Sequence, residues 1–274
     1  MSQLFRASSE LGIRRRTPQH TPDLETILPE SQLPTELAEA RIVTPNPSLE
    51  SRLVALSDPD CLGSEKFRAL VTRLDHMRKR HPFRSMQVTS GVVHDGKTTV
   101  AANLAVTLAR HLGARTLLVE GDLHRPRTAS LLGIGELPGI SQWWSERQTH
   151  LTPILYRVGE MPLWFIPAGQ VHDRPSAILK SELFSDAFAD IAAQFDWVVV
   201  DSTPMLPVID ANLWSKLVDG TLLVIREGGT PVKALKQGLR ALDDPTLIGV
   251  VVNEAQEFDQ PHYDGEYYGS AKHR

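Results

Sequence analysis

Residues 91–98 read Gly-Val-Val-His-Asp-Gly-Lys-Thr, a spacing that fits the phosphate-binding pattern G-x-x-x-x-G-K-[ST]. An apolar run at residues 86–90 precedes this loop, and an alanine-rich helical pattern follows it. Glycines let a loop curl so that its N–H groups face a polyphosphate, and a helix that begins near Lys97 adds its positive end. A plain glycine turn is the alternative, but it gives no reason for the lysine. The pattern therefore predicts a nucleotide site.

Each polar residue of the loop has an expected role. Lys97 is expected to bridge the β- and γ-phosphates, and the Thr98 hydroxyl is expected to hold Mg²⁺. His94 is interpreted as a loop residue that contacts solvent or phosphate. The predicted nucleotide-binding residues of the loop are Gly91, His94, Asp95, Gly96, Lys97, Thr98 and Thr99.

A phosphate loop of this kind also needs acidic side chains for the metal, and two segments supply them. Asp201 follows the apolar run 197–200, and Glu120 and Asp122 close the run that begins at residue 116. Carboxylates at these strand ends project into the crevice at the carboxyl edge of a parallel sheet. The alternatives are a helix-capping role for Asp201 and a surface-loop position for Asp122.

Apolar runs alternate with helical patterns over most of the chain. Strands are predicted at residues 86–90, 116–120, 163–166, 197–200, 221–225 and 247–252, and helices from Ser64 as N-cap, from about Lys97, over 176–195, and over 230–244 with Thr230 as N-cap. Continuous apolar strands separated by helices predict an α/β fold with a mostly parallel central sheet and helices on both faces. With the phosphate loop, this is the P-loop NTPase architecture.

The two ends of the chain differ from this core. Residues 1–60 are rich in proline and contain one glycine, which predicts a disordered N-terminal arm before a domain at 61–257. Residues 258–274 are predicted to form a flexible tail. Three of the four tyrosines, Tyr263, Tyr267 and Tyr268, lie in this tail. They either pack on the domain or a neighbour, or they serve as acceptors of a transferred group.

Composition excludes several classes of protein. The net charge of −4 gives no overall basic footprint, so no nucleic-acid partner is expected. The single cysteine, Cys61, excludes a disulfide within the chain and a cysteine-based zinc site. No apolar run approaches the roughly 18 residues that indicate a membrane span, and the first residues do not resemble a signal peptide. A cytoplasmic location is expected.

The segments GVVHDGKTT, LLVEGDLHRP and VVVDSTP together resemble the bacterial tyrosine kinases (BY-kinases), P-loop proteins related to the MinD and ParA ATPases. The resemblance runs from about Glu65 to the C-terminus and includes IPAGQVHDRPSAIL and GVVVNEA. MinD and ParA ATPases usually carry a lysine five residues before the P-loop lysine, where this chain has Val92. That difference favours the kinase branch.

The resemblance implies an autokinase that transfers phosphate from Mg-ATP to its tail tyrosines and regulates capsule or exopolysaccharide production. It assigns catalysis to Lys97, Glu120, Asp122 and Asp201, Mg²⁺ binding to Thr98, Asp122 and Asp201, the adenine side to Asn253, and phosphate acceptance to Tyr263, Tyr267 and Tyr268. It also implies a membrane chain-length protein (a polysaccharide co-polymerase) as activator, which would recruit this chain to the inner face of the membrane. Copies of the chain would form a ring through the helix near Glu65 and Arg68, whose alternative is an ordinary surface helix.

Several positions depart from the kinase pattern. Glu120 stands where the family has an aspartate that is proposed to help activate the tyrosine hydroxyl, His124 stands where it has arginine, and Thr203 stands where it has proline. Glu120 and His124 favour a second interpretation, a MinD-like ATP-dependent switch or scaffold with little or no transfer to tyrosine. The two interpretations differ in their product, because a kinase leaves phosphotyrosine whereas an ATPase leaves free phosphate.

Overall fold

An eight-stranded sheet forms the centre of the computed structural model, which describes residues 33–48, 51–170, 174–206, 209–242 and 247–255. The strands are β1 (Arg41–Val43), β2 (Ser85–Ser90), β3 (Thr116–Glu120), β4 (Tyr156–Val158), β5 (Leu163–Ile166), β6 (Trp197–Asp201), β7 (Gly220–Arg226) and β8 (Leu247–Asn253). Their order is β1-β4-β5-β3-β6-β2-β7-β8, and of the neighbouring pairs only β4 and β5 are antiparallel. The predicted α/β fold with a mostly parallel sheet is confirmed.

Helices cover both faces of this sheet. They are α1 (Thr35–Ala38), α2 (Val54–Ser57), α3 (Leu62–Arg78), α4 (Lys97–Leu112), α5 (Thr128–Leu131), α6 (Ile140–Ser145), α7 (Pro175–Leu179), α8 (Glu182–Ala192), α9 (Asp210–Leu217) and α10 (Val232–Ala241). Within the described ranges, no helix combines the length and the apolar character that a membrane crossing needs.

Alternate side chains of the central strands enter two separate cores. In β3, Leu118 packs with α3 and α4 on one face, whereas Leu117 and Val119 pack with α6 and α8 on the other. In β6, Trp197 packs in the first of these cores and Val198 packs in the second. Because both faces are covered, each strand reads as a continuous apolar run, which explains why the six predicted strands appear where they were expected.

The order of the strands brings the predicted site residues to one edge. β6 lies between β2 and β3, and the three strands run parallel. The loop after β2 begins at Gly91, Asp122 lies just beyond β3, and Asp201 ends β6. The carboxyl ends of neighbouring parallel strands open at the same edge, where α/β proteins bind their ligands.

The structure differs from the disordered arm expected for residues 1–60. Residues 33–48 and 51–60 belong to the domain, since β1 pairs with β4 and the side chains of Leu37 and Leu53 are fully buried. Trp164 Nε1 donates to the carbonyl of Leu37 at 3.1 Å, which ties α1 to the sheet. These elements are three or four residues long, too short for a periodic pattern to reveal them. Residues 1–32 lie outside the described residues.

Two helix boundaries also differ from their predictions. The N-cap of α3 is Cys61 rather than Ser64, because the Cys61 Sγ accepts a hydrogen bond from the Ser64 amide at 3.4 Å. The single helix predicted over 176–195 is divided into α7 and α8, and Ser181 caps the second of them through its side chain. A serine inside an apolar pattern started a new helix, which hydrophobic spacing alone does not reveal.

Leu53→Ala is expected to lower the free energy of unfolding by about 2–5 kcal/mol, because a fully buried leucine leaves a cavity. The matched control is Leu62→Ala, the same chemical change at a side chain that is 60% exposed, where the expected change is within about 0.5 kcal/mol. Urea unfolding followed by circular dichroism measures both. Equal losses in the two variants would show that residues 51–57 do not belong to the core.

Candidate active site

The conformation of the phosphate loop depends on Asp95. This side chain is fully buried and accepts hydrogen bonds from the Val92 amide at 3.1 Å and from the Thr230 hydroxyl at 2.8 Å. Thr230 was predicted to cap α10, but Pro231 stands at that N-cap, and the Thr230 hydroxyl joins the loop instead. Asp95 is therefore a brace inside the loop, although the sequence predicted a nucleotide contact for it.

Asn253 and Gly96 meet at the other side of the loop. Asn253 Nδ2 donates to the Asp95 carbonyl at 2.9 Å, which fixes the end of β8 to the loop backbone. Gly96 has a φ of 95°, and a Cβ at this position would lie 2.1 Å from the Asn253 amide nitrogen. Only glycine meets both conditions. The structure thus gives Asn253 a contact with the loop itself, beside the adenine-side role implied by the resemblance.

The remaining loop residues surround the start of α4. His94 is exposed and adopts a φ of 68°, a left-handed conformation that is uncommon for a residue with a side chain. Such strain persists where the surroundings impose it and is concentrated at functional loops. Gly91 is buried, and a Cβ there would lie 2.8 Å from Thr230. Thr99 is half-buried in the first turn of α4.

Three charged side chains lie together where the phosphate loop meets α4. Lys97 Nζ is 3.0 Å from Asp122 Oδ2 and 3.5 Å from Asp201 Oδ1. Burial disfavours the charged amine, but the two carboxylates outweigh that effect and raise the pKa of Lys97. Lys97 is therefore a cation at neutral pH, as a phosphate ligand must be.

Asp201 is the most buried of the three. Burial raises the pKa of its carboxyl group, while the charge of Lys97 acts in the opposite direction. Its Oδ2 accepts a hydrogen bond from the Thr128 hydroxyl at 2.8 Å, whereas Oδ1 makes no hydrogen bond with any described residue. A buried carboxylate oxygen without a hydrogen bond is costly unless a cation faces it.

The chemistry of these side chains fits Mg²⁺. The metal prefers oxygen ligands and is usually held by one or two carboxylates together with substrate phosphates. The Oδ1 of Asp201, the Oδ2 of Asp122 and the Thr98 hydroxyl are oxygens of this kind, and all three lie within 3.5 Å of Lys97 Nζ. Among the described residues, no set of three or more His, Cys, Asp or Glu side chains converges on one point.

Glu120 does not have the environment expected of a group that activates a hydroxyl. Its Oε1 accepts from the amides of Thr128 at 2.6 Å and Ala129 at 3.1 Å, and its Oε2 accepts from the amide of Ala168 at 3.0 Å. Burial raises the pKa of Glu120, and the three amide hydrogen bonds oppose that rise. Both oxygens are engaged with backbone, in contrast to the catalytic role that the resemblance implied.

Several residues that the sequence did not single out position the segment after β3. A Cβ on Gly121 would lie 2.6 Å from the side chain of Val200, and Trp214 Nε1 donates to the Gly121 carbonyl at 3.0 Å. Asp210 is buried beside His124, with 2.9 Å between Oδ2 and the imidazole Nε2. These contacts join distant parts of the chain, so no local motif indicates them.

The predicted oligomer helix and the tail lie apart from these contacts. Arg68 Nε donates to Glu65 within α3 at 3.1 Å, and this hydrogen bond lowers the pKa of Glu65. Another Arg68 nitrogen donates to the Pro59 carbonyl at 2.7 Å. Within the described part of the chain the pair is an intrahelical ion pair. Tyr263, Tyr267 and Tyr268 lie outside the described residues.

A phosphate loop braced at the carboxyl edge of a parallel sheet, with a lysine between two acids, defines a P-loop nucleotide-binding protein. The family description "CobQ/CobB/MinD/ParA nucleotide binding domain" matches residues 88–265, and the chain belongs to this family.

The chain is also similar to named kinases. The tyrosine-protein kinase YwqD of Bacillus subtilis is 26% identical over 81% of this chain and 93% of its own length. The succinoglycan biosynthesis transport protein ExoP of Rhizobium meliloti is 29% identical over 82% of this chain, which spans 29% of ExoP. The kinase domain of the Escherichia coli tyrosine kinase ETK superposes with a TM-score of 0.68 at 25% identity, over 77% of this chain and 84% of that domain.

Gly96→Ala is expected to weaken binding of a fluorescent ATP analogue at least about tenfold, because the side chain needs a left-handed φ and collides with Asn253. Gly113→Ala is the matched control, since Gly113 has a φ of 65° but nothing within 4 Å of a Cβ. It should lose about 1–2 kcal/mol of stability and keep its affinity. Equal affinities in the two variants would contradict the described loop geometry.

Proposed function

We propose that this chain is an ATP-dependent protein-tyrosine autokinase that regulates capsule or exopolysaccharide production. The observation that carries the proposal is the position of Lys97 between Asp122 and Asp201, at the phosphate loop of a domain whose relatives are named tyrosine-protein kinases. The name of ExoP supports the connection with polysaccharide production.

The chain's own residues supply most of what phosphoryl transfer requires. Lys97 and the positive N-terminal end of α4 hold and neutralise the phosphates of ATP. Thr98, Asp122 and Asp201 would hold Mg²⁺, which neutralises charge on the phosphoryl oxygens when bound. Asp201 is fully shielded from water, and electrostatic interactions are stronger in a water-excluded site than in solvent.

The acceptors in this proposal are Tyr263, Tyr267 and Tyr268. The end of β8 contacts the phosphate loop through Asn253. The ten residues from Asn253 to Tyr263 span at most about 35 Å when extended, enough to return to this site or to enter that of a neighbour. Each added phosphate brings about −1.5 to −2 charges, and repulsion between the phosphorylated tyrosines would release the tail from the active site that it occupies.

The partners belong to the same proposal. A membrane chain-length protein of the polysaccharide co-polymerase class would activate this chain and recruit it from the cytoplasm to the inner face of the membrane. Copies would assemble into a ring through α3, where the exposed Glu65 and the half-buried Arg68 would exchange their intrahelical ion pair for contacts between copies.

The engagement of Glu120 favours a second function. Because both of its oxygens accept from backbone amides, it is not free to take a proton from a hydroxyl. A nucleotide-dependent switch that hydrolyses ATP without transfer to tyrosine fits this observation, and the family description includes MinD and ParA.

Incubation of the purified chain with Mg-ATP and a candidate activator fragment is expected to produce phosphotyrosine, detected by antibody and mapped by mass spectrometry. Lys97→Met should abolish the signal, because it removes the charge that holds the phosphates. Replacement of Tyr263, Tyr267 and Tyr268 by phenylalanine should abolish it as well, because it removes the acceptors.

The fourth tyrosine provides the matched control. Tyr156 is buried in β4 and donates to the Pro138 carbonyl at 3.1 Å, so Tyr156→Phe should leave the phosphotyrosine signal unchanged. If the wild-type chain binds ATP tightly but yields no phosphotyrosine with any activator fragment, the kinase proposal is wrong and the switch remains.

A further inference from the structure

We propose that Glu120 and Thr128 are positioning residues that together set the orientation of Asp201. The inference rests on the proposed function only in so far as Asp201 holds Mg²⁺ at the nucleotide site. It gives Glu120 a task different from activation of the tyrosine hydroxyl.

Two buried carboxyl groups lie side by side at the carboxyl edge of the sheet. Glu120 and Asp201 are directly paired residues of β3 and β6, and both are almost completely inaccessible to solvent. In parallel strands, paired residues direct their side chains to the same face of the sheet. Two neighbouring buried carboxyl groups oppose each other's ionisation unless each accepts hydrogen bonds from nearby donors.

Thr128 supplies a donor to each carboxylate. Its amide donates to Glu120 Oε1 at 2.6 Å, and its hydroxyl donates to Asp201 Oδ2 at 2.8 Å. Thr128 is itself fully buried and is the first residue of α5. One residue therefore joins the two acids, and its position depends on the carboxylate of Glu120.

This bridge determines which oxygen of Asp201 remains available. Because Oδ2 is occupied by the Thr128 hydroxyl, Oδ1 is the oxygen that faces Lys97, at 3.5 Å from its Nζ. Oδ1 makes no hydrogen bond within the described residues. Without the hydroxyl, the carboxylate could rotate about its χ2 angle and Oδ2 would lose its partner, so the orientation needed for Mg²⁺ would no longer be fixed.

The length of Glu120 suits this task. Its Oε1 reaches the N-terminus of α5, where it accepts from Thr128 and Ala129, while its Oε2 reaches the Ala168 amide after β5. An aspartate at this position ends one methylene earlier and cannot span the same two groups of amides. The structure assigns the glutamate to the support of α5, and through Thr128 to the support of Asp201.

The test replaces the hydroxyl without changing the shape of Thr128. In Thr128→Val, the Mg²⁺ concentration that half-saturates binding of a fluorescent ATP analogue should rise about 10–100-fold, the usual effect of removing a group that supports a metal ligand. Binding of the same analogue in EDTA should not change. Thr128→Ser keeps the hydroxyl and should restore the wild-type Mg²⁺ dependence.

Glu120→Asp provides a second route to the same readout and should raise the Mg²⁺ requirement in the same way. The double variant with Thr128→Val should show no further increase, because both residues act through one hydrogen bond to Asp201. Thermal unfolding is recorded for each variant. If Thr128→Val does not fold, the Mg²⁺ dependence of analogue binding in Glu120→Asp decides the question.

The readout separates this inference from the proposed kinase function. A chain that yields no phosphotyrosine still reports the Mg²⁺ dependence of nucleotide binding, so the kinase proposal can fail while the positioning role stands. A wild-type Mg²⁺ requirement in Thr128→Val, or a failure of Thr128→Ser to restore it, overturns the positioning role. For Glu120→Asp, a wild-type Mg²⁺ requirement has the same consequence.

Discussion

The burial of one positive and two negative charges at the carboxyl edge of the sheet is the constraint on which this structure depends. Lys97 Nζ lies 3.0 Å from Asp122 Oδ2 and 3.5 Å from Asp201 Oδ1, and all three side chains are largely hidden from solvent. Removal of one member of a buried ion pair leaves an uncompensated charge and typically costs about 3–5 kcal/mol. The strand order that places β6 between β2 and β3 is what brings the three charges together.

A second set of contacts holds the loop against the last two strands. Asp95 accepts a hydrogen bond from the Thr230 hydroxyl in the turn after β7, and Asn253 at the end of β8 donates to the loop backbone. The nucleotide loop is thus tied to the turn after β7 and to the end of the final strand.

The sequence was sufficient for six of the eight strands and for the three charged residues, because both depend on local patterns, whereas the three-residue strands β1 and β4 were not predicted. Continuous apolar runs mark strands covered on two faces, and G-x-x-x-x-G-K-[ST] fixes the position of Lys97. The sequence was insufficient where contacts join residues that are far apart along the chain. The hydrogen bonds of Glu120 to Thr128 and Ala168, and the burial of Leu37 and Leu53, involve residues that no period or motif connects.

The fate of the γ-phosphate tests the account most directly. The purified chain would be incubated with γ-³²P-labelled ATP, Mg²⁺ and a candidate activator fragment, and the label would be followed into protein and into free phosphate. We expect label to appear on tyrosine in the tail, and Asp201→Asn should prevent this. Label found only in free phosphate, at a rate that depends on Lys97, would contradict the kinase account and establish a nucleotide-hydrolysing switch.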